Sequence, residues 1–295
     1  MKANVRRTRR RMDAIDVIAL VFMTIFTLVI AIPFYTTIVT SILTNTSYTR
    51  NPFQLIPDEV TFSNYVYIFQ NSSLLTGYEN TLIVTAVGTA YGLLISLMTA
   101  YGLSFKGFPG KRLLTYLVVI PMYVSGGLLP TYLNTKDLGL MNSLWAIILQ
   151  VGITPFNIII IKNSIEQLPG EITEAARIDG AGEFKAFFKV VLPLIKPTLA
   201  TFGLFIAVAY WNEWYGSMLY LNSNSQKTLQ LILRNIVSQG SQDTAMAASA
   251  VTLTNVFSQG IKTAAVVVTM LPIMCLYPFL QKYFAKGLLV GAVKM

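Results

Sequence analysis

The sequence predicts an all-α membrane protein with six transmembrane helices and both termini in the cytoplasm. Three observations carry that prediction. Hydrophobic residues fill 54% of the 295 positions and charged residues only 12%, against roughly 25% charged in a soluble domain. Six apolar runs are long enough to cross a hydrocarbon core, which takes about 20 residues of helix. The 22 Lys and Arg residues are sorted between the loops, seventeen on one side of the runs and five on the other, and the richer side faces the cytoplasm.

Residues 1–14 are a basic cytoplasmic N-terminus with Lys2, Arg6, Arg7, Arg9, Arg10 and Arg11. A first transmembrane helix over 15–43 follows, its apolar run at Val17–Leu43. That run outlasts the roughly 7–15 apolar residues of a signal peptide and has no small-x-small cleavage site after it, so it reads as an uncleaved anchor. Residues 44–75 form an extracytoplasmic loop mixing turn formers and aromatics. The region 76–282 holds the other spans, Thr81–Phe105, Leu113–Leu133, Ser143–Ile161, Thr198–Leu219 and Ile261–Leu280, and residues 283–295 are a cytoplasmic tail. The outer segments 44–80 and 222–260 exceed the roughly 2–8 residues of an ordinary bundle connection. They fit either a docking surface for an external partner or plain loop variation.

Two spans are more than anchors. Gly88, Gly92, Ser96 and Ala100 recur every four residues in the second, a small-residue face suited to close helix contact. In the third, "IPMYVSGGLLPTYL" places Pro121, Gly126, Gly127 and Pro130 within a helix. Broken backbone at membrane depth persists only where protein buries it or water lines it, so this is a packing kink or part of a pathway.

Several function classes drop out. The chain has no His and one Cys, which excludes Ser-His triads, the usual zinc sites and an internal disulfide. Cys275 sits in an apolar run and is expected to be a packed, inert thiol. The nearest approach to a phosphate loop, "KGFPGKRL" at 106–113, lacks the spacing and the Ser/Thr that would meet Mg²⁺. No catalytic residue, metal or cofactor is expected. The net charge of +9 lies in short blocks between apolar runs rather than among exposed aromatics, so its partner is the lipid bilayer and not nucleic acid.

The inner loop 164–197 carries the most pattern. "LPGEITEAARID" opens with Pro169, sets Glu171 and Glu174 early and Arg177 late, and so suits a helix dipole. "GAG" at 180–182 breaks that helix. Phe184, Phe187, Phe188 and Val191 then recur at i, i+3, i+4 and i+7, an apolar stripe expected to face the bundle with Lys185 and Lys189 opposite. Periodicity alone fits an amphipathic helix resting on lipid or a lever driven by a cytoplasmic protein.

Glu213 is the acid set deepest in a span, within "YWNEWYG". An ionisable group there faces the bundle interior or water. With Trp211, Asn212, Trp214 and Tyr215 it makes either a sugar path, where rings meet C–H faces and polar groups meet hydroxyls, or an interfacial aromatic belt. An acidic lining disfavours anionic sugars, whereas Lys262 and Arg234 in the outer segments favour them.

Residues 174–193, "EAARIDGAGEFKAFFKVVLP", resemble the EAA loop of ABC importer permeases. Glu174, Ala175, Ala176, Asp179, Gly180, Ala181, Phe188, Leu192 and Pro193 match its pattern in order. From roughly residue 76 onward, "PTYLNTKDLGLMNSLWAIIL", "AVAYWNEWYGSMLYL" and "FLQKYFAKGLLVGAVKM" are similar to carbohydrate-type (MetI-like, binding-protein-dependent) permeases, especially those for complex or uronate-containing oligosaccharides. The resemblance implies the type I ABC permease fold over 76–282 and a non-catalytic subunit in a bacterial plasma membrane. It implies that 164–197 is a coupling loop in which Glu174, Ala175, Ala176, Asp179, Gly180, Gly182 and Phe184 meet an ATPase subunit. The implied partners are a second homologous permease subunit, two cytoplasmic ATPase subunits, an extracytoplasmic solute-binding protein and an oligosaccharide.

Overall fold

Where water cannot satisfy the backbone, apolar runs fold as helices, and the computed structural model of the chain is built accordingly. It describes residues 13–292 except 71, 106 and 239–255. The arginines of the N-terminus, residues 239–255 of the second outer segment and the last three residues of the tail lie outside the described residues. The chain runs through α1 (Ala14–Ser41), α2 (Asn45–Arg50), α3 (Ser63–Gln70), α4 (Ser72–Ser104), α5 (Lys111–Val119), α6 (Leu128–Asp137), α7 (Trp145–Val151), α8 (Pro155–Glu166), α9 (Gly170–Ile178), α10 (Glu183–Leu194), α11 (Lys196–Trp211), α12 (Tyr215–Tyr220), α13 (Leu229–Ser238) and α14 (Ser258–Ala292). Among the described residues the only β pairing is an isolated bridge between Leu43 and Val60.

The expected spans map onto this order with three changes. The first, second and sixth are continuous within α1, α4 and α14, each long and apolar enough to cross a membrane. The fourth is divided, because Gly152 and the proline at the start of α8 separate α7 from α8 at a bend of 49°. The fifth ends early at Trp211, and its remainder forms the separate α12. The third is the most broken: α5 passes through a single tight turn at Ile120–Met122, and α6 begins only after Gly127, whose φ of 87° is open chiefly to glycine.

The described residues form two compact units, one within 13–68 and 256–267 and the other within 69–238 and 268–292. In the first, α1 exposes its apolar side chains along most of its length and buries only its end, Val39 to Ser41. Asn64 there donates its side-chain amide to the carbonyls of Ser41 and Leu43 at 3.1 and 3.3 Å, groups that a helix end leaves open. Thr44 caps α2 by accepting from the Ser47 amide at 3.2 Å, and Tyr48 packs on Phe257 with ring centroids 4.9 Å apart.

In the second unit α4 packs against α7, α8 and α11. Leu97, Ala100, Ile158, Ile161 and Phe202 form one buried cluster; Val84, Ile147, Ile148, Ile206 and Tyr210 form another. The small residues of α4 allow this. A Cβ on Gly88 would lie 2.4 Å from the Tyr210 ring, and one on Gly92 would lie 2.6 Å from the Gly152 carbonyl oxygen. The sequence misplaced Cys275, which is exposed on α14 rather than packed, because an apolar run does not reveal which of its azimuths has a neighbour.

Candidate functional site

Two features gather the chemistry of the chain: a helical hairpin formed by α9 and α10, and a cavity beside Glu213.

The hairpin begins where α8 ends. Glu166 is gripped there by Lys162, one turn back, at 2.8 Å and by Lys111 of α5 at 2.9 Å. Burial raises its carboxyl pKa, but the hydrogen bonds and charges of Lys162 and Lys111 outweigh that and hold it below the usual carboxylate range. Helix α9 closes with a Schellman cap: Gly180 adopts a φ of 77°, and the Ala181 amide donates back to the Ala176 carbonyl at 2.9 Å. So the EAA residues Ala176, Asp179, Gly180 and Ala181 read locally as a helix stop. Gly182 is different. Its φ of −63° and ψ of 164° suit any residue, so the turn depends on Gly180.

Helix α10 opens as the Ala186 amide donates to the Gly182 carbonyl at 3.0 Å and widens into a π turn over Phe187–Val191. That widening corrects the expected stripe. Phe187 and Val191 are buried, but Phe188 is 57% and Phe184 84% exposed, since a π turn takes more residues per revolution than the period of 3.6 assumed from sequence. Phe187 packs on Tyr101 with ring centroids 4.5 Å apart, and the Tyr101 hydroxyl donates to Glu183 at 3.3 Å. A cavity of about 370 Å³ between hairpin and bundle is lined by Tyr101, Phe105, Glu166, Glu174 and Glu183, among others. Glu174, Ala175, Asp179, Gly180 and Gly182 are exposed and Ala176 is half-buried. Ile178, 86% exposed, is a second large apolar group of the hairpin without cover, the kind of surface that marks an interaction site.

The second feature forms at the break between α11 and α12. A carboxylate oxygen of Glu213 accepts from the Gly216 amide at 2.5 Å, satisfying an open donor at the start of α12, while Thr228 donates its hydroxyl to the Glu213 carbonyl at 2.8 Å. Beside them lies a cavity of about 440 Å³ lined by Ser125, Thr131, Gln150, Glu213, Tyr215 and Tyr220 together with apolar groups. Tyr220 donates to the Gln150 side-chain oxygen at 3.2 Å, and the Gln150 amide donates to Thr135 at 3.0 Å. Tyr132 stacks on Tyr220 with centroids 6.2 Å apart. The wall therefore offers hydroxyls, an amide, aromatic rings and a carboxylate.

Of the five residues the sequence proposed for a path, the structure puts Glu213 and Tyr215 on this wall and the other three elsewhere. Trp211 is buried, edge-on to Tyr78 with centroids 6.1 Å apart. Asn212 is exposed and donates its side-chain amide to the Val208 carbonyl at 2.9 Å. Trp214 carries the Arg234 guanidinium 3.6 Å above its ring, a cation–π pair. Gln150, Thr131 and Tyr220 were missed, although a glutamine in an otherwise apolar span was a usable signal.

The profile of the family described as "binding-protein-dependent transport system inner membrane component" matches residues 1–290. The chain belongs to this family. The permease is 41% identical over 265 residues, 89% of each chain, to protein LplC of Bacillus subtilis (strain 168). It is 40% identical to the polygalacturonan/rhamnogalacturonan transport system permease protein YtcP of the same organism, covering 95% of this chain and 98% of that one. A chain in the crystal structure of a bacterial ABC transporter involved in the import of the acidic polysaccharide alginate matches it with a TM-score of 0.87 and 30% identity, over 94% of this chain and 99% of that one. A further chain, from an alginate transporter crystallised with its pentasaccharide-bound periplasmic protein, shares the fold at TM-score 0.60 and 14% identity. This chain is therefore a membrane component of a transport system with the permease fold.

Proposed function

We propose that the chain is the translocating subunit of an ATP-driven importer of oligosaccharides in a bacterial plasma membrane. The uncovered hairpin carries the reading. Its turn is fixed by Gly180, its inner face is packed on the bundle through Phe187 and Val191, and it leaves Ile178, Phe184 and Asp179 exposed. That is the form of a lever: a rigid contact with the bundle on one side and an unfilled apolar contact on the other. In this reading Glu174, Ala175, Ala176, Asp179, Gly180, Gly182 and Phe184 meet one of two cytoplasmic ATPase subunits, and a homologous permease completes the membrane domain. Residues 76–282 are the transporting domain, with α1 as an added anchor and both termini cytoplasmic. The broken α5–α6 segment, the bent α7–α8 pair and α11 with α12 join α1, α4 and α14 to give six spans.

The substrate class rests on two supports. Named relatives include permeases for polygalacturonan and rhamnogalacturonan and for arabinooligosaccharides, and the Glu213 cavity has the mixed polar and aromatic wall that a saccharide requires. An extracytoplasmic binding protein delivers the sugar, Glu213 and Tyr215 meet it, and the chain itself performs no covalent chemistry. The test is ATP-dependent uptake of arabinotriose, raffinose and trigalacturonate by proteoliposomes holding the whole complex and its binding protein. Uptake of at least one, abolished when the ATPases are inactivated, is expected. Uptake that survives inactivation would refute the reading.

A further inference from the structure

The hairpin hangs from two helices. Helix α8 leads into α9, and α10 turns into α11 through a bend of 77°. The break that precedes α8 and the far end of α11 meet at one side chain. Tyr210, in the last turn of α11 and fully buried, donates its hydroxyl to the Ile148 carbonyl at 2.5 Å, in α7 just before the break that separates it from α8. Two glycines make room for it, and a third seats the break itself. A Cβ on Gly88 would strike the Tyr210 ring at 2.4 Å, one on Gly152 would strike its hydroxyl at 2.5 Å, and one on Gly92 would strike the Gly152 carbonyl oxygen. On the far side of this joint lies the Glu213 cavity, which takes Ile147, Gln150 and Val151 from α7 and Glu213 and Tyr215 from the chain after α11. Tyr210 thus stands between the lever and the cavity.

A second observation points to the same place. The hydroxyls of Thr85, Thr89 and Ser96 are buried and have no hydrogen-bond partner among the described residues. They share with Gly92 one face of α4, by their spacing of three, four and seven residues, and Gly92 lies against Gly152. Helical Ser and Thr usually return their hydroxyl to a carbonyl one turn back, as Thr115 and Ser164 do in this chain. Three unmet hydroxyls on the face that meets a broken helix are spare hydrogen-bonding capacity.

We propose that Tyr210 is a positioning residue for translocation, a joint that ties α11 to α7 at the Gly152 break and so sets the angle at which α8 leaves it; the inference rests on the importer reading above. In the arrangement seen, Tyr210 holds the break. In the alternate one, α7 and α8 change their angle and the backbone groups released at the break pair with Thr85, Thr89 and Ser96. The element has two discrete hydrogen-bonded states, which is what coupling between separated sites requires.

The test uses the whole complex in proteoliposomes with its binding protein, measuring ATP hydrolysed per saccharide taken up, with arabinotriose, raffinose and trigalacturonate as probes. Tyr210→Phe keeps the ring in its slot and removes one hydrogen bond, so assembly is expected to be unchanged and ATP spent per saccharide to rise about three- to tenfold. Thr89→Val removes a hydroxyl that no contact uses, so the resting complex should melt no lower than wild type while uptake falls by a similar factor. A purely structural role would instead lower melting temperature and uptake together. Wild-type stoichiometry in Tyr210→Phe, or joint loss of stability and uptake in Thr89→Val, overturns the inference. If wild-type complex takes up no probe at the cost of ATP, the importer reading fails with it, an outcome distinct from intact uptake with unchanged stoichiometry.

Discussion

Exchanging the two glycines of the hairpin, one at a time, separates backbone geometry from packing within the subunit. A Cβ added at Gly180 or at Gly182 meets nothing within 4 Å in this chain, so neither substitution acts through a clash within the subunit. They differ in φ: 77° at Gly180 and −63° at Gly182. A side chain in the left-handed region costs about 1–2 kcal/mol, and a β-branched one lies at or above the top of that range. Gly180→Val should therefore disfavour the turned hairpin by about 2 kcal/mol, a population change of roughly 30-fold. Gly182→Ala sits in a conformation open to all residues and should gain about 0.4–1 kcal/mol from a less flexible unfolded chain. Both positions are exposed and outside the buried clusters, so the helix bundle should melt alike in both variants. The assay is ATP-driven uptake and ATP hydrolysis by the reconstituted complex, with retention of the ATPase subunits as a second readout. Gly180→Val is expected to lose more than tenfold of its uptake per ATP, and Gly182→Ala none. Equal effects, or greater damage at Gly182, would refute the claim that the cap at Gly180 shapes the lever.

Other expectations follow from contacts. Glu166 titrates below the usual carboxylate range, so its ion pairs contribute fully above the unfolded pKa and are lost as pH falls through the folded value; thermal melts of wild type and Glu166→Gln should differ at neutrality, by no more than about 1 kcal/mol for so exposed a group, and converge in acid. Gly88→Ala forces a methyl into the Tyr210 ring and should cost about 1–3 kcal/mol, measured by thermal denaturation, and a Tyr210→Ala background should relieve it. Phe184→Ala removes an 84% exposed side chain and should change the stability of the chain by under about 0.5 kcal/mol, while lowering ATPase retention about tenfold or more on co-purification if Phe184 anchors that contact.

The parts of this fold legible in the sequence are those governed by local rules. Continuous apolar runs gave α1, α4 and α14, and the small residues of α4 gave its close packing, because a four-residue period reports a helix face directly. The turn between α9 and α10 was legible from its glycines, although only the backbone showed that Gly180 needs the left-handed region and Gly182 does not. What sequence could not supply was azimuth after an irregularity. Phe184 and Phe188 are exposed on either side of the first π-turn residue, Phe187, and Trp211, Asn212 and Trp214, at the end of α11 and in the break after it, do not line the cavity. Gln150 and Tyr220 come from segments some 70 residues apart, and no local period predicts their meeting. Glu213 stood out in the sequence because its cost in an apolar setting is a property of the residue itself, and the structure places it on a cavity wall.

The exposed Ile178 and Phe184 also bear on how the cell handles the chain. A subunit synthesised without its partners displays the same apolar groups that chaperones and proteases use to recognise incomplete proteins. Its lifetime is then set by whether another protein covers that surface, so cells lacking the ATPase should hold less of this chain at equal rates of synthesis. The hairpin would serve as an assembly inspection point, matching the abundance of the membrane subunit to that of its motor.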